Sequence, residues 1–329
     1  MILPPFRLHR PASLDEAAGL AASLSGGFDF LGGGTDLLPN YKNRLNPRRD
    51  VIALWRIGEL RSRGEDSIGA MTRLSDLEED PAFRLRHPGL AEAIDQVASP
   101  LIRRQATLGG NVLVETRCYY FNQSRDWRAS KGYCMKADGD VCLVVPQKEV
   151  CYAAYSGDTA AVLLALDARL VLHGPAGARE VRSREFFQPD GIRKNVLARG
   201  EILSRVVLPP ASSSRRSGYA KLRLRDSFDF PEAGVAAALE LDGAVVKDLS
   251  LAVTAVSMTP VLLEDLTGPA LGERLTPDLI RHLADGVAAR SQPVRNVMFP
   301  PQYRKRMTGV LARRLLSRLA LSAGPRRPL

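Results

Sequence analysis

The four cysteines of the chain lie in one short stretch, and this clustering constrains the fold more than any other feature. They are Cys118, Cys134, Cys142 and Cys151, with 15, 7 and 8 residues between successive members. Thiolates are the preferred protein ligands of zinc and of iron–sulfur clusters, and four of them complete either kind of site. The spacing therefore predicts a metal-binding loop that is inserted between two elements of a larger domain.

Length and charge limit the class of protein. The chain has 329 residues, which is enough for two or three domains with cores of their own. Its formal net charge is +10, and arginine supplies most of it. Such a charge suits nucleic acid, an acidic protein partner, an anionic cofactor or an ordinary arginine-rich surface. Aromatic residues make up only 6% of the chain, without a basic and aromatic stripe, which disfavours a nucleic-acid-binding surface.

The N-terminal sequence and the hydropathy predict a cytoplasmic protein without a membrane span. Residues 1–6 lack the charged and apolar segments of a signal peptide. No apolar run approaches the roughly 18 residues needed to cross a bilayer. In a reducing compartment, four clustered thiols favour a metal site over disulfides. The four histidines are scattered, and none is paired at metal-ligand spacing.

Two glycine-containing turns predict a phosphate-binding site. The first consists of Leu31, Gly32, Gly33, Gly34, Thr35, Asp36 and Leu37, and the second of Thr107, Leu108, Gly109, Gly110 and Asn111. Glycine lets a ligand approach the backbone closely, and successive N–H groups can face an anion. Neither turn is a Walker motif or a Gly-x-Gly-x-x-Gly fingerprint. We expect the two turns to hold one diphosphate from two sides.

The order of the predicted elements indicates an α+β protein with a domain boundary. A capping box at Ser13 and Glu16 predicts a helix that ends near Leu24, and residues 28–31 form a predicted strand. The polar segment 209–216 is the candidate linker. Beyond it, three predicted strands form an antiparallel meander, followed by two helices and eight frayed residues. The strands are expected at 217–225, 234–241 and 249–256, and the helices at 276–290 and 301–321.

Taken together, these motifs resemble the FAD-binding medium subunits of the xanthine dehydrogenase group of molybdenum hydroxylases. The resemblance implies a two-part FAD-binding domain of the PCMH type over residues 1–208, divided into 1–55 and 56–208. A C-terminal domain like that of the carbon monoxide dehydrogenase flavoprotein is implied over 217–322. The two turns correspond to the flavin pyrophosphate loops of the family. Asp158 and Lys221 correspond to further flavin contacts, although Gly157 interrupts the usual Ser-Asp pair.

The insert, at about 115–152, narrows the resemblance to the 4-hydroxybenzoyl-CoA reductase branch of the family. The likeness lies in residues 115–124, Trp127-Arg128, residues 134–136 and Cys142. In that branch, four cysteines of the beta subunit hold an additional [4Fe–4S] cluster. The resemblance therefore implies that Cys118, Cys134, Cys142 and Cys151 bind a [4Fe–4S] cluster and that the glycine turns bind FAD.

The resemblance also implies an oxidoreductase subunit that relays electrons and has no substrate site of its own. A ferredoxin would donate electrons, which would travel through the [4Fe–4S] cluster and FAD to a small [2Fe–2S] subunit and a large molybdenum subunit in an α2β2γ2 assembly. The reaction would be the reductive dehydroxylation of 4-hydroxybenzoyl-CoA to benzoyl-CoA, a step of aromatic degradation.

Two alternatives to this interpretation remain. The first is a medium subunit of a xanthine or carbon monoxide dehydrogenase-like hydroxylase, which would pass electrons outward to NAD or quinone and hold zinc in the insert. The second is a zinc-stabilised nucleic-acid-binding protein. This second class is disfavoured because the cysteine gaps are not those of paired Cys-x-x-Cys motifs and because it leaves the two glycine turns unexplained.

Overall fold

A computed structural model describes residues 2–25, 27–212 and 214–321, so the predicted frayed end at 322–329 lies outside the described residues. The strands are β1 (Arg7–His9), β2 (Phe28–Leu31), β3 (Asp50–Ala53), β4 (Ser67–Gly69), β5 (Arg169–Gly174), β6 (Gly177–Arg182), β7 (Ile202–Val207), β8 (Arg215–Leu222), β9 (Ala233–Asp242), β10 (Val245–Thr254) and β11 (Val261–Leu262).

The helices are mostly short and lie between the strands. They are α1 (Leu14–Ser23), α2 (Leu37–Lys42), α3 (Leu74–Glu78), α4 (Pro81–Arg86), α5 (Pro88–Asp95), α6 (Pro100–Arg103), α7 (Leu108–Val112), α8 (Arg125–Ser130), α9 (Asp158–Ala165), α10 (Ser183–Phe186), α11 (Glu264–Thr267), α12 (Pro277–Arg290) and α13 (Pro301–Leu321). Single 3-10 turns occupy Gly58–Arg61 and Gly268–Ala270. Within the described ranges, no helix is both long enough and apolar enough to cross a membrane.

The first sheet is parallel, with the strand order β1-β3-β2. Helix α1 begins at the predicted capping box, where the Ser13 hydroxyl accepts the N–H of Glu16 at 3.1 Å and the Glu16 carboxylate accepts the N–H of Ala12 at 2.7 Å. The first glycine turn follows β2 directly. It therefore lies at the carboxyl edge of this sheet, where ligands of parallel sheets commonly bind.

The second sheet is antiparallel, with the order β4-β7-β5-β6. The second glycine turn is not a loop. It forms the short helix α7, whose first N–H groups are capped by Thr107, because the hydroxyl of this residue accepts the N–H of Gly110 at 3.1 Å. The N–H groups of Leu108 and Gly109 are also satisfied, because they donate to the Thr72 carbonyl at 3.0 Å and the Ala70 carbonyl at 2.8 Å.

The third sheet is antiparallel, with the order β11-β10-β9-β8. The predicted meander is β8–β9–β10, and the predicted turn at Asp242-Gly243 joins β9 to β10, with Gly243 at φ +61°. The short fourth strand β11 was not anticipated. Helices α12 and α13 cover this sheet, and α13 spans the predicted residues 301–321.

Helix α9 joins the second and third sheets into one core. All eight of its residues are buried, and residues 161–165 pack in one apolar cluster with residues of β5, α5, β9 and β10. The predicted linker is therefore followed by a sheet that shares its core with the preceding domain. Strand β8 already begins at Arg215, inside the predicted linker segment.

The insert at 115–152 contains one helix, α8, of six residues and no strand. Its two ends are brought together by reciprocal backbone hydrogen bonds of 2.7 Å between Arg117 and Ala154. The insert is therefore a loop closed at its base, and it packs beside the first sheet.

Candidate functional site

The two glycine turns predicted to act together lie against each other. A Cβ atom on Gly33 would fall 1.7 Å from the carbonyl oxygen of Gln105, and one on Gly32 would fall 3.2 Å from the Thr107 hydroxyl. Gly34 has φ +75°, in the left-handed region that favours glycine. The glycines therefore permit both the sharp turn and the close approach of the two backbone segments.

Both turns line a cavity of about 600 Å³, a size that suits a small-molecule or cofactor site. Its far wall is apolar and includes two half-exposed aromatic rings. The apolar residues are Val97, Ala98, Ile102, Leu197, Leu203, Phe228 and Phe230. A second cavity of about 490 Å³ lies on the other side of the first turn, where Trp55, Arg61 and Arg73 contribute to its wall.

Most of the predicted turn residues line these cavities. Those of the larger cavity are Gly32, Gly33, Gly34, Thr35, Asp36, Leu37, Thr107, Gly109, Gly110 and Asn111. Leu31 lines the smaller cavity. Leu108 lines neither; it is fully buried and packs in the main core. Its side chain therefore anchors α7 rather than contacting a ligand.

Asp158 and Lys221 do not line either cavity. They form a buried ion pair of 3.0 Å behind the second turn. The Tyr219 hydroxyl donates to Asp158 at 2.9 Å, and the Lys221 ammonium donates to the Gln96 carbonyl at 2.8 Å. Burial raises the pKa of Asp158 and lowers the pKa of Lys221, while their mutual attraction opposes both shifts.

This ion pair supports the second turn from behind. The residue after Asp158, Thr159, donates its N–H at 3.1 Å and its hydroxyl at 2.7 Å to the side-chain oxygen of Asn111. The interposed Gly157 is needed here, because a Cβ would lie 2.4 Å from the Tyr155 hydroxyl. The direct flavin contact that the resemblance implied for Asp158 and Lys221 stays a prediction.

Two charged residues of the cavity were not singled out from the sequence. The carboxylate of Glu115 lines the cavity and accepts from the Lys136 ammonium at 2.7 Å, and the Lys194 ammonium lies 3.4 Å away. Burial raises the pKa of Glu115, but the two ammonium groups outweigh it and hold this pKa below its usual range. The three residues are far apart in sequence, so no local pattern marks them.

Arg117 connects the cavity to the cysteine-containing insert. Its guanidinium pairs with the Asp36 carboxylate of the first turn and donates to the Asn40 side chain at 3.2 Å. The same guanidinium lies 4.5 Å from the centre of the Phe230 ring. Because Arg117 directly precedes Cys118, this contact places the start of the insert beside the cavity wall.

The four cysteines come together as the sequence predicted. All four are buried, none forms a disulfide, and all line one small closed cavity together with Phe121 and Lys136. Burial raises the pKa of Cys118 to about 11 and that of Cys151 to about 12. A metal would offset this cost, since binding releases the thiol protons.

Among the described residues, no group of three or more His, Cys, Asp or Glu side chains is arranged to hold a metal ion. A zinc site would need four thiolates at about 2.3 Å from one centre. Four thiols around one cavity do match the donor set of a larger iron–sulfur cluster.

Buried side chains of the insert and of the C-terminal domain hold the insert in place. The Lys136 ammonium donates to the Gly191 carbonyl at 2.8 Å. From the C-terminal domain, the Asn296 carbonyl accepts the N–H of Tyr119 at 2.8 Å, and the Asn296 amide donates to the Tyr152 carbonyl at 2.5 Å. Tyr119 and Tyr152 each adjoin a cysteine, so Asn296 ties both ends of the cysteine core to the segment between α12 and α13.

Two known families match this chain. Residues 4–211 match the FAD binding domain in molybdopterin dehydrogenase, and residues 218–319 match the CO dehydrogenase flavoprotein C-terminal domain. These matches, with the observed sheets, confirm the predicted fold class of a two-part FAD-binding domain followed by an antiparallel C-terminal domain.

Individual proteins match over most of the chain. The carbon monoxide dehydrogenase medium chain of Hydrogenophaga pseudoflava is 28% identical over 96% of this chain and 98% of that protein. The aldehyde oxidoreductase FAD-binding subunit of Escherichia coli strain K12 is 32% identical over 72% of this chain and 77% of that protein. A solved structure of the Hydrogenophaga pseudoflava carbon monoxide dehydrogenase superposes with a TM-score of 0.80 at 27% identity, covering 97% of this chain and 98% of that chain.

Proposed function

Because this chain belongs to the family of FAD-binding medium subunits of xanthine and carbon monoxide dehydrogenase-type molybdenum hydroxylases, we propose that it is an electron-transfer subunit with two redox centres. FAD binds between the glycine turns. A [4Fe–4S] cluster binds on the four cysteines. The observation that carries this proposal is the pair of direct contacts between the two sites, Arg117 to Asp36 and Lys136 to Glu115.

The residues around the larger cavity suit FAD. The backbone N–H groups of Gly32–Gly34 are the candidate donors to the diphosphate, whereas those of Gly109 and Gly110 already donate to the Ala70 carbonyl and the Thr107 hydroxyl. The apolar wall with Phe228 and Phe230 suits the flavin ring. Bound FAD supplies the exchange between one-electron and two-electron carriers, and the protein contributes position and electrostatics.

The cysteine core suits an iron–sulfur cluster beside the flavin. The Lys136 ammonium lines the cysteine cavity and pairs with Glu115 at the flavin cavity, so one side chain separates the two sites. Positive charge beside a cluster stabilises its reduced, more negative form and raises its potential. Lys136 and Arg117 thereby adjust the electron affinity of the cluster relative to FAD.

The relatives favour outward electron flow. The matching proteins are named as a carbon monoxide dehydrogenase medium chain and an aldehyde oxidoreductase FAD-binding subunit. In the assembly proposed here, a large molybdenum subunit and a small [2Fe–2S] subunit deliver electrons to this chain, which passes them to NAD or quinone. The subunit works within an α2β2γ2 complex.

The cysteine insert favours a second candidate with the opposite direction. Its resemblance to the 4-hydroxybenzoyl-CoA reductase branch supports a flow from a ferredoxin, through this chain, to the molybdenum subunit. The substrate there would be 4-hydroxybenzoyl-CoA and the product benzoyl-CoA. The physical support is the cysteine core with its four buried thiols, which is the donor set of an iron–sulfur cluster.

Anaerobic purification with metal, sulfide and flavin analysis tests both sites. We expect about four irons, about four sulfides and one FAD per chain. One zinc without sulfide would overturn the cluster, and a flavin-free protein would overturn the cavity assignment. The variant Cys118→Ser should lose iron and retain FAD, which shows that the two sites load separately.

The direction of flow needs a separate measurement on the whole complex. Reduced ferredoxin and NAD or quinone are supplied in turn, and the flavin absorbance is followed. Rapid reduction by ferredoxin supports the reductase candidate. Rapid reoxidation by NAD or quinone after substrate reduction supports the dehydrogenase candidate.

A further inference from the structure

A strongly basic pocket adjoins the insert and shares Lys136 with the cysteine cavity. It has a volume of about 430 Å³. Residues of the loop after α2 and residues of the insert line the pocket together. They are Arg44, Asn46, Pro47, Arg48, Arg125, Arg128, Tyr133, Lys136 and Asp138. Four arginines and one lysine thus face one carboxylate, Asp138, which is exposed at the rim.

The central arginine of this pocket is buried without a counter-charge. Arg128 is only 3% exposed, and its Nε atom has no hydrogen-bond partner. One terminal nitrogen donates to the Arg44 carbonyl at 2.7 Å, and the guanidinium lies 5.9 Å from the Phe121 ring centre. Neither contact neutralises the charge. A buried, unpaired guanidinium is costly unless an anion accompanies it.

Among the described residues, the side chains of Arg48 and Arg125 donate no hydrogen bond, and Arg44 donates only through one terminal nitrogen, to the Ile2 and Tyr41 carbonyls at 3.0 and 3.2 Å. Within the part of the chain that the structure describes, Arg44, Arg48 and Arg125 form no ion pair with a carboxylate. Lys136 differs, because its ammonium is already paired with Glu115. Guanidinium groups bind the paired oxygens of carboxylates and phosphates through parallel N–H bonds, which makes four of them around one pocket selective for such groups.

We propose that this pocket, defined by Arg44, Arg48, Arg125 and Arg128, is a binding site for an oxyanion. The ligand is a phosphate or carboxylate group with at least two negative charges. It comes either from a free phosphate or phosphorylated molecule or from acidic side chains on a docked partner protein. The anion neutralises Arg128 and holds the loop after α2 against the insert.

The position of the pocket connects it with the redox centre proposed above. Tyr133 and Lys136, which flank Cys134, line the pocket, and Lys136 also lines the cysteine cavity. An acidic partner that docks here would lie against the wall of the cysteine core. The anion site itself does not depend on the cluster, so the two proposals can fail separately.

Calorimetric titration of the purified complex tests the site, with inorganic phosphate and hexaglutamate peptide as probes at constant ionic strength. The test variants are Arg128→Gln and the double variant of two exposed arginines, Arg48→Gln with Arg125→Gln. The matched control is Arg313→Gln with Arg314→Gln, which removes the same charge from exposed positions on α13. The double variant keeps the test valid if Arg128→Gln does not fold.

We expect saturable binding of at least one probe, weakened about tenfold or more in the pocket variants and unchanged in the control. Tighter binding of phosphate assigns the site to a free anion, and tighter binding of the peptide assigns it to an acidic partner. The absence of saturable binding, or an equal loss in the control, would overturn the proposal. Iron and FAD contents measured on the same samples should stay at wild-type levels, which separates this site from the redox centres.

Discussion

The flavin cavity and the cysteine core lie side by side but are stabilised in different ways. The walls of the flavin cavity are formed by elements that the sheets hold in position. Its glycine turns are placed by strands β2 and β3 and by helix α7. The cysteine core has no strand and only one short helix. It depends instead on buried side chains, such as Lys136 and Asn296, that bond to backbone carbonyls of the loop or its neighbours.

This difference has a consequence for cofactor loading. The backbone frame of the flavin cavity forms with the fold itself, whereas the cysteine core relies on a few side-chain contacts and on the metal that we propose it binds. We therefore expect the insert to be the less stable region when its metal is absent. The following predictions test that contrast, in order of decreasing effect.

The largest effect is expected at the flavin cavity. Gly33→Ala places a Cβ atom 1.7 Å from the Gln105 carbonyl oxygen, so the two turns must separate. We expect a loss of more than about 4 kcal/mol in unfolding free energy and loss of FAD. Denaturant unfolding and flavin absorbance measure both. The control Gly19→Ala, at an exposed helical glycine with no neighbour within 4 Å, should stabilise the protein by about 0.5–1 kcal/mol.

A smaller and more local effect is expected in the insert. Lys136→Met leaves Glu115 without its closest cation, and we expect a loss of about 3 kcal/mol. Iron content should fall while FAD is retained. Lys131→Met, at an exposed lysine of the same loop, is the control and should change stability by less than about 0.5 kcal/mol. Parallel loss of FAD and iron in Lys136→Met would contradict the contrast between the two regions.

The contact between the two regions should be sensitive to pH. The folded pKa of Glu115 lies below its ordinary value of 4.5, because Lys194 and Lys136 outweigh the effect of burial. The stability that Glu115 contributes is therefore complete above pH 4.5 and is lost as the pH falls through the folded pKa.

Glu115→Gln should cost about 1.5 kcal/mol at pH 7 and progressively less below pH 4.5, as urea unfolding at several pH values would show. Glu149→Gln, an exposed position of the insert, is the matched control. The opposite result is that the variant and the wild type differ in unfolding free energy by the same amount at every pH. That result would show that the Glu115 carboxylate acts by its shape rather than by its charge.

The smallest effect is expected far from both sites. Ser13→Ala removes the hydroxyl that caps α1 and should cost about 1 kcal/mol without changing iron or FAD content. Thermal unfolding measures the loss, and Ser13→Asp should restore the cap. A change in either cofactor would show that the first helix is coupled to the cavities.

Local sequence patterns predicted many elements of the fold. The capping box at Ser13 marks the start of α1, and the predicted strand at 28–31 and helix at 301–321 have the observed bounds. The clustering of the cysteines also predicted their convergence. These features depend on neighbouring residues, so backbone preference, capping and periodicity carry enough information.

Contacts between distant residues could not be predicted in the same way. Leu108 belongs to a predicted binding turn, yet its side chain turns into the core, and Asp158 pairs with Lys221 behind the cavity. Likewise, no sequence pattern places Glu115 at the junction of the two sites.

The sequence by itself thus determined the local elements, the glycine turns and the clustering of the four thiols. Only the tertiary structure decided which turn faces which, where each charged residue finds its partner, and that Arg128 is buried without one. The physical reason is that local backbone geometry follows from adjacent residues. Burial and ion pairing instead depend on which sheets and loops pack together, and those contacts join residues far apart in the chain.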